Sequence, residues 1–204
     1  MLKPASDCDD GPDLPALTAA GETALAEARL IGQVVLRQRT AFDALYRCYH
    51  PRLLRFLDRM MRRPDLADEV LNDTMFVVWN RAGTYNGRCK VSTWIFAIAH
   101  NKALKALQRM DEPVADDDAD NRPSPAPNPE QQLDQRQLLT RLRRAIDGLS
   151  FDHRAVVELT YFHGADCREI AQIVDCPVAT VKTRMFHARR HLKASLCGRL
   201  EDFL

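Results

Sequence analysis

The chain is predicted to be all-α, two small helical domains joined by a disordered linker. Three observations carry this. Apolar residues recur at spacings of three and four through most of the chain, the period of a buried helix face. The β-branched residues fall inside those helical periods, so no stretch alternates as a half-buried strand does. Between the two periodic halves stand six acids, from Asp111 to Asp120, and then four prolines, from Pro123 to Pro129. That composition offers no apolar anchor and reads as an extended linker over 111–132.

The first 39 residues read as an extension. Up to residue 21, Pro4, Gly11, Pro12, Pro15 and a cluster of Asp predict a disordered leader. From Glu22 to Arg37 a helical pattern sets Leu25, Ala28, Ile31 or Gly32, and Val35 on one side. The first domain, 40–110, begins near Thr40, where Phe42, Leu45, Tyr46, Tyr49, Leu53, Phe56 and Leu57 keep helical spacing. Pro51 lies within this pattern and either kinks the helix or starts a new one. Pro64-Asp65 opens the next helix, Asp65 to Asn80, with an apolar face of Ala67, Val70, Leu71, Met75 and Val78. Its other face carries Asp65, Asp68, Glu69, Asn72 and Asp73, either a solvated surface or a dock for a basic partner. An Asn-Gly turn signal then marks a loop over 84–90.

A helix follows from about Ser92 to Arg109. Across loop and helix, Tyr85, Asn86, Arg88, Lys90, Trp94, Asn101 and Lys105 interleave aromatic, amide and basic side chains. Single-stranded nucleic acid suits that mixture, because bases stack on rings while Lys and Arg follow phosphates. For any single ring, Trp94 and Phe96 included, core packing is the competing reading.

The second domain, 133–204, opens with a helix carrying Leu138, Leu142, Ala145, Ile146 and Leu149. Ser150 is placed to cap the next helix, with Val156, Val157, Leu159, Thr160 and Phe162 before Gly164. Asp166, with Glu169 three residues on, makes a capping box for a short helix. A turn at Asp175-Cys176-Pro177 leads into a longer helix, where Val181, Met185, Ala188, Leu192 and Leu196 form the buried stripe. The opposite face carries Lys182, Thr183, Phe186, His187 and Arg190, and no Asp or Glu occurs between Asp175 and Glu201. This is the pattern of a helix-turn-helix whose second helix enters a major groove.

Charge and composition narrow the function classes. The net charge is only +1, from 29 Lys and Arg against 28 Asp and Glu. Non-specific DNA affinity grows with the phosphates neutralised, so such a chain is expected to act on DNA within a larger assembly. Six cysteines without a C-x-x-C pair point to a reduced, cytoplasmic setting. Cys48 with His50, and His187 with His191, lack a second pair at zinc spacing, so neither metal nor cofactor is expected. Apolar runs such as Met75 to Trp79 are far below the roughly 20 residues of a spanning helix, so no direct membrane insertion is expected. No phosphate loop, nucleophile elbow or H-E-x-x-H motif occurs, which speaks against an enzyme. A stand-alone helix-turn-helix regulator and a cysteine-based sensor are the alternative readings.

The order of these segments resembles a known family. The runs AFDALYRCYHPRLLRFL, DLADEVLNDTMFVVW and VSTWIFAIAHNKALKALQR are similar to region two of bacterial sigma factors of the extracytoplasmic-function group. LRRAIDGLSFDHRAVVELTYFHGADCREIAQIVDCPVATVKTRMFHARRHL resembles region four of that group. The resemblance implies that Asp65, Asp68, Glu69, Asn72 and Asp73 dock on the β′ clamp helices of the RNA polymerase core, which the factor joins along with its β subunit. Asn72 stands where the family usually has Gln. It implies −10 contacts by the loop and following helix, with Tyr85, Asn86 and Asn101 bordering a flipped base and Arg88, Lys90, Trp94 and Lys105 beside the strand. It implies −35 contacts by Lys182, Thr183, Phe186, His187 and Arg190, with Arg184 near the DNA backbone. His187 stands where relatives often carry Arg, and Ala179 replaces a glycine. An anti-sigma factor is the further partner implied.

Overall fold

A computed structural model describes residues 14–110 and 140–197. The linker over 111–132, Leu138 and the first 13 residues lie outside the described residues. Eight α-helices and one 3-10 turn make up the described fold, and no strand occurs among these residues.

Helix α1, Leu14–Val35, starts inside the stretch expected to be a disordered leader. Pro15 falls in its first turn, where a missing N–H costs no hydrogen bond, and an Ala-rich run follows. The buried face is also turned from the expected one. Glu27, Ile31 and Val34 are buried, whereas Leu25 and Val35 are exposed. The turn of the face follows from Glu27, which lies 3.8 Å from Arg52 of the next helix. Burial, and then the Glu27 carboxylate, push the Tyr49 hydroxyl's pKa upward. Helix α1 therefore packs on the core of the first domain through Ile31.

Helix α2, Arg39–Met61, runs through Pro51 as one element. It buries Leu45, Tyr49, Leu53, Phe56 and Leu57, while Phe42 and Tyr46 are partly covered. Helix α3, Pro64–Arg81, has Pro64 in its first turn and buries Ala67, Val70, Leu71, Met75 and Val78. A 3-10 turn, Ala82–Thr84, leads into the loop, and α4 runs Val91–Met110. Phe96 belongs to the core at 2% exposure, whereas Trp94 is half-buried.

In the second half, α5 covers 140–147 of the described residues. Helix α6, Phe151–His163, is capped by the Ser150 hydroxyl, which accepts from the His153 amide at 3.4 Å, and ends at Gly164 with φ 63°. Phe162 is half-exposed at 50%. The Arg59 guanidinium from α2 covers one face of its ring at 3.8 Å. Helix α7, Cys167–Ile173, carries the predicted capping box, and α8 spans Val178–Cys197. The Asp166 carboxylate accepts from the Arg168 and Glu169 amides at 2.7 and 2.9 Å. Asp166→Ala is expected to lower stability by about 1 kcal/mol, read from urea unfolding.

The two halves share one apolar cluster. Phe56, Phe96 and Ala99 of the first half join Ala155, Leu159, Ile170 and Val181 of the second. Each half carries its own helices, yet they meet on a common core.

Candidate nucleic-acid interface

The acid-free face of α8 is the clearest surface. Val181 and Ala188 are fully buried and Met185, Leu192 and Leu196 are partly so, which turns the other side of the helix outward. Lys182, Thr183, Phe186, His187 and Arg190 are all exposed, Phe186 at 63%. Arg184 is set apart from this face. Its guanidinium is ion-paired with Asp152 and reaches the Cys176 sulfur at 3.8 Å, so it ties α8 to the start of α6 and to the turn. Arg189 likewise turns to α6, where it donates to the Tyr161 oxygen at 3.1 Å.

The polar face of α3 is equally well defined. Asp65, Asp68, Glu69, Asn72 and Asp73 are all exposed, and Phe76 extends the same face at 66% exposure. Asp73 pairs with Lys102 of α4 at 2.8 Å, and the Asn72 oxygen accepts from the Tyr46 hydroxyl at 3.4 Å. Asp65 and Asp68, in the first turns, also complement the positive end of the helix dipole.

The loop before α4 is braced from within. The Tyr85 hydroxyl donates to the Cys89 carbonyl at 2.6 Å, and its ring meets Trp94 at 5.6 Å. The Asn86 side-chain oxygen accepts from the Arg88 amide at 3.1 Å, an Asx-type turn followed by Gly87 at φ 71°. Asn86 and Arg88 are exposed. On α4, Trp94, Asn101 and Lys105 follow one another at spacings of seven and four, so they share a face, while Val91, Ile95, Ala99 and Ala103 line the buried one.

A further predicted contact residue, in the loop, is engaged elsewhere. Lys90 pairs with Glu169 of α7 at 2.7 Å, and this pairing is the main cause that raises its pKa. Helix α7 also walls a cleft of about 480 Å³ beside Tyr85 and Arg88. The second half therefore covers part of the loop.

Sequence reasoning missed the residues that make this junction. Glu158, 1% exposed on α6, accepts from Arg59 of α2 at 2.8 Å. Arg154, 7% exposed, donates to the Arg59 and Met60 carbonyls at 3.1 and 3.3 Å and to the Leu149 carbonyl at 3.0 Å. Two charged residues on the apolar side of a helix, at 154 and 158, were the available signal.

The geometry is matched by likeness to known proteins. Residues 45–112 match the sigma-70 region 2 family, and residues 139–192 match sigma-70 region 4. The extracytoplasmic-function RNA polymerase sigma factor RpoE of Cereibacter sphaeroides is 31% identical over 153 residues, covering 73% of this chain and 82% of that protein. The chain belongs to the sigma-70 family. Within it the chain is an extracytoplasmic-function sigma factor, a member of a non-catalytic family that gives bacterial RNA polymerase its promoter specificity. The sigma factor SigM of Mycobacterium tuberculosis is 29% identical over 196 residues, covering 91% of this sigma factor and 92% of SigM. Among solved structures, CnrH in complex with the cytosolic domain of CnrY superposes with a TM-score of 0.64 at 22% identity, covering 85% of this chain and 98% of CnrH. The sigma factor RpoE of Bartonella quintana, in complex with the anti-sigma factor NepR, gives a TM-score of 0.59 at 22% identity, over 76% and 96% of the two chains. At that identity these likenesses bear on the fold.

No helix among the described residues is long and apolar enough to cross a membrane.

Proposed function

We propose that this sigma factor works in the cytoplasm through three separate faces, without catalysis of its own. Residues 40–110 form the unit that docks on core polymerase and reads the −10 element; residues 133–204 form the unit that reads the −35 element. The face of α8 supplies Lys182, Thr183, Phe186, His187 and Arg190 to the major groove, with Arg184 near the DNA backbone. Lys182 and Arg190 suit guanine edges or phosphates, and Phe186 suits a thymine methyl. Tyr85, Asn86 and Asn101 border the place of an unstacked −10 base, with Arg88, Lys90, Trp94 and Lys105 along the strand. The acidic face of α3 docks on the β′ clamp helices, and the assembly also includes the β subunit. The acidic linker lies in the polymerase channel, where its carboxylates mimic RNA phosphates.

The observation that carries this reading is the segregation of faces. A row of acids on α3 and an acid-free cationic face on α8 are both exposed in one molecule, so one surface repels the DNA that the other attracts. Spacing adds a requirement. Elements at −10 and −35 lie about 25 base pairs apart, or about 85 Å of duplex at about 3.4 Å per pair. The direct packing of α7 against α4 cannot span that length, whereas the 29 residues of 111–139 reach up to about 100 Å. The two halves must separate for both elements to be read. The anti-sigma factor NepR bound to the Bartonella quintana RpoE supports control of this chain by an anti-sigma factor.

The test is pulldown with core polymerase, followed by run-off transcription from a matched promoter. Association at low micromolar concentration with specific run-off is expected; no association would sink the reading. Asp73→Arg is expected to weaken core binding by roughly 10- to 100-fold, since it places a cation where the partner is basic. Binding of the isolated factor to a −35 duplex should be unchanged by it.

A further inference from the structure

We propose that the junction between the two halves is a proton-sensitive latch, closed on two neutral histidines and released when they take up protons. It rests on the reading above that DNA recognition requires the halves to part. His100 on α4 is 3% exposed and lies against Phe151 of α6, with ring centroids 5.3 Å apart. Neither of its ring nitrogens has a hydrogen-bond partner. His163, at the end of α6, lies against Phe96 and Phe56 of the first half at 4.7 and 5.8 Å. Each histidine is thus set on the aromatic surface of the opposite half.

The charged surroundings favour the neutral rings. Around His163 stand Arg52, Arg55 and Arg59 of α2, with Glu158 on its own helix. Lys90 of the loop and Glu169 of α7 line the adjoining cleft. Burial first, and then the three guanidiniums, bring the His163 pKa down to about 4. Asp152 of α6 and Arg184 of α8 act on His100 in opposite senses, and burial is the larger influence that lowers its pKa. Parting the halves returns both rings to water and to an ordinary pKa near ~6.5.

Protons therefore bind the open form more tightly. The closed form keeps its full advantage above about pH 6.5 and loses it as pH falls toward about 4. From those two values, His163 alone shifts the balance about tenfold toward opening between about pH 7.5 and 5.5. Glu158 acts in the other direction, because burial raises its pKa in the closed form.

Small-angle X-ray scattering of the full chain reads the state directly. A compact chain of this length has a radius of gyration of about 17 Å, and parting the halves enlarges it. The wild type is expected to be compact at about pH 7.5 and to expand reversibly toward pH 5.5. The double variant His100→Phe with His163→Phe should stay compact throughout, and Glu158→Gln should steepen the wild-type response. A His100→Gln, His163→Gln pair, polar but uncharged, gives the same readout should the Phe pair misfold. A size independent of pH in the wild type, or variants that expand as the wild type does, would overturn the latch. Core binding and run-off at about pH 7.5, measured alongside, stay intact if only the latch is wrong and fail if the sigma-factor reading is wrong.

Discussion

Lys182→Ala and Arg190→Ala are each expected to weaken −35 binding by roughly tenfold to a hundredfold, the value of one good base contact. Both side chains are exposed on α8 and flank Phe186, which is 63% exposed. The measurement is fluorescence anisotropy of the reconstituted holoenzyme on promoter fragments at fixed salt, with core affinity measured beside it. Core affinity should not move. A lysine that meets only phosphate weakens all sequences alike and lowers the salt slope by about one, whereas a residue reading a base relaxes specificity at one position. The molecule supplies its own control. Arg189 is next in sequence to Arg190 but is bonded to the Tyr161 oxygen at 3.1 Å, so Arg189→Ala should leave −35 affinity nearly unchanged. Equal losses from Arg189 and Arg190 would mean that charge alone, rather than the α8 face, drives binding.

That control depends on a contact absent from the sequence pattern, and the same holds across the molecule. The helix-turn-helix was legible because its determinants are local. Asp166 caps within three residues, Pro177 precedes the helix, and Val181, Met185 and Ala188 repeat at helical spacing. The exposed acids of α3 were legible for the same reason, since five apolar positions fix which face turns inward. The register of α1 was not. Its apolar residues are spread around the helix, and the face was decided by Glu27 meeting Arg52. Nor was the setting of Phe162, half exposed beneath a guanidinium from the other half. The junction itself joins residues about a hundred positions apart, beyond the reach of any local period: Arg59 and Glu158 differ by 99.

Glu158 is where that long-range contact is most testable. Glu158→Ala is expected to destabilise the protein by about 3–5 kcal/mol in urea unfolding, the usual result of removing one member of a buried ion pair. The carboxylate is 1% exposed, and its loss strips the counter-charge from two arginines unequally. Arg59, at 37% side-chain exposure, can turn to water and keep its place over Phe162. Arg154 cannot, being 7% exposed with its Nε already unpartnered. Replacing the ion pair together, as Glu158→Met with Arg59→Met, should recover part of the loss, because apolar side chains of similar size need no desolvation. If the double change costs as much as the sum of the single ones, the two residues act independently and the pairing carries no stability. The pH dependence gives a second check. Burial raises the Glu158 pKa above its ordinary value near 4.5 against the pull of Arg59 and Arg154. The folded state therefore binds that proton more tightly than the unfolded chain, and this residue favours folding increasingly as pH falls through the raised pKa toward 4.5. Glu158→Gln, which cannot titrate, should lose that part of the acid-side slope while keeping the fold.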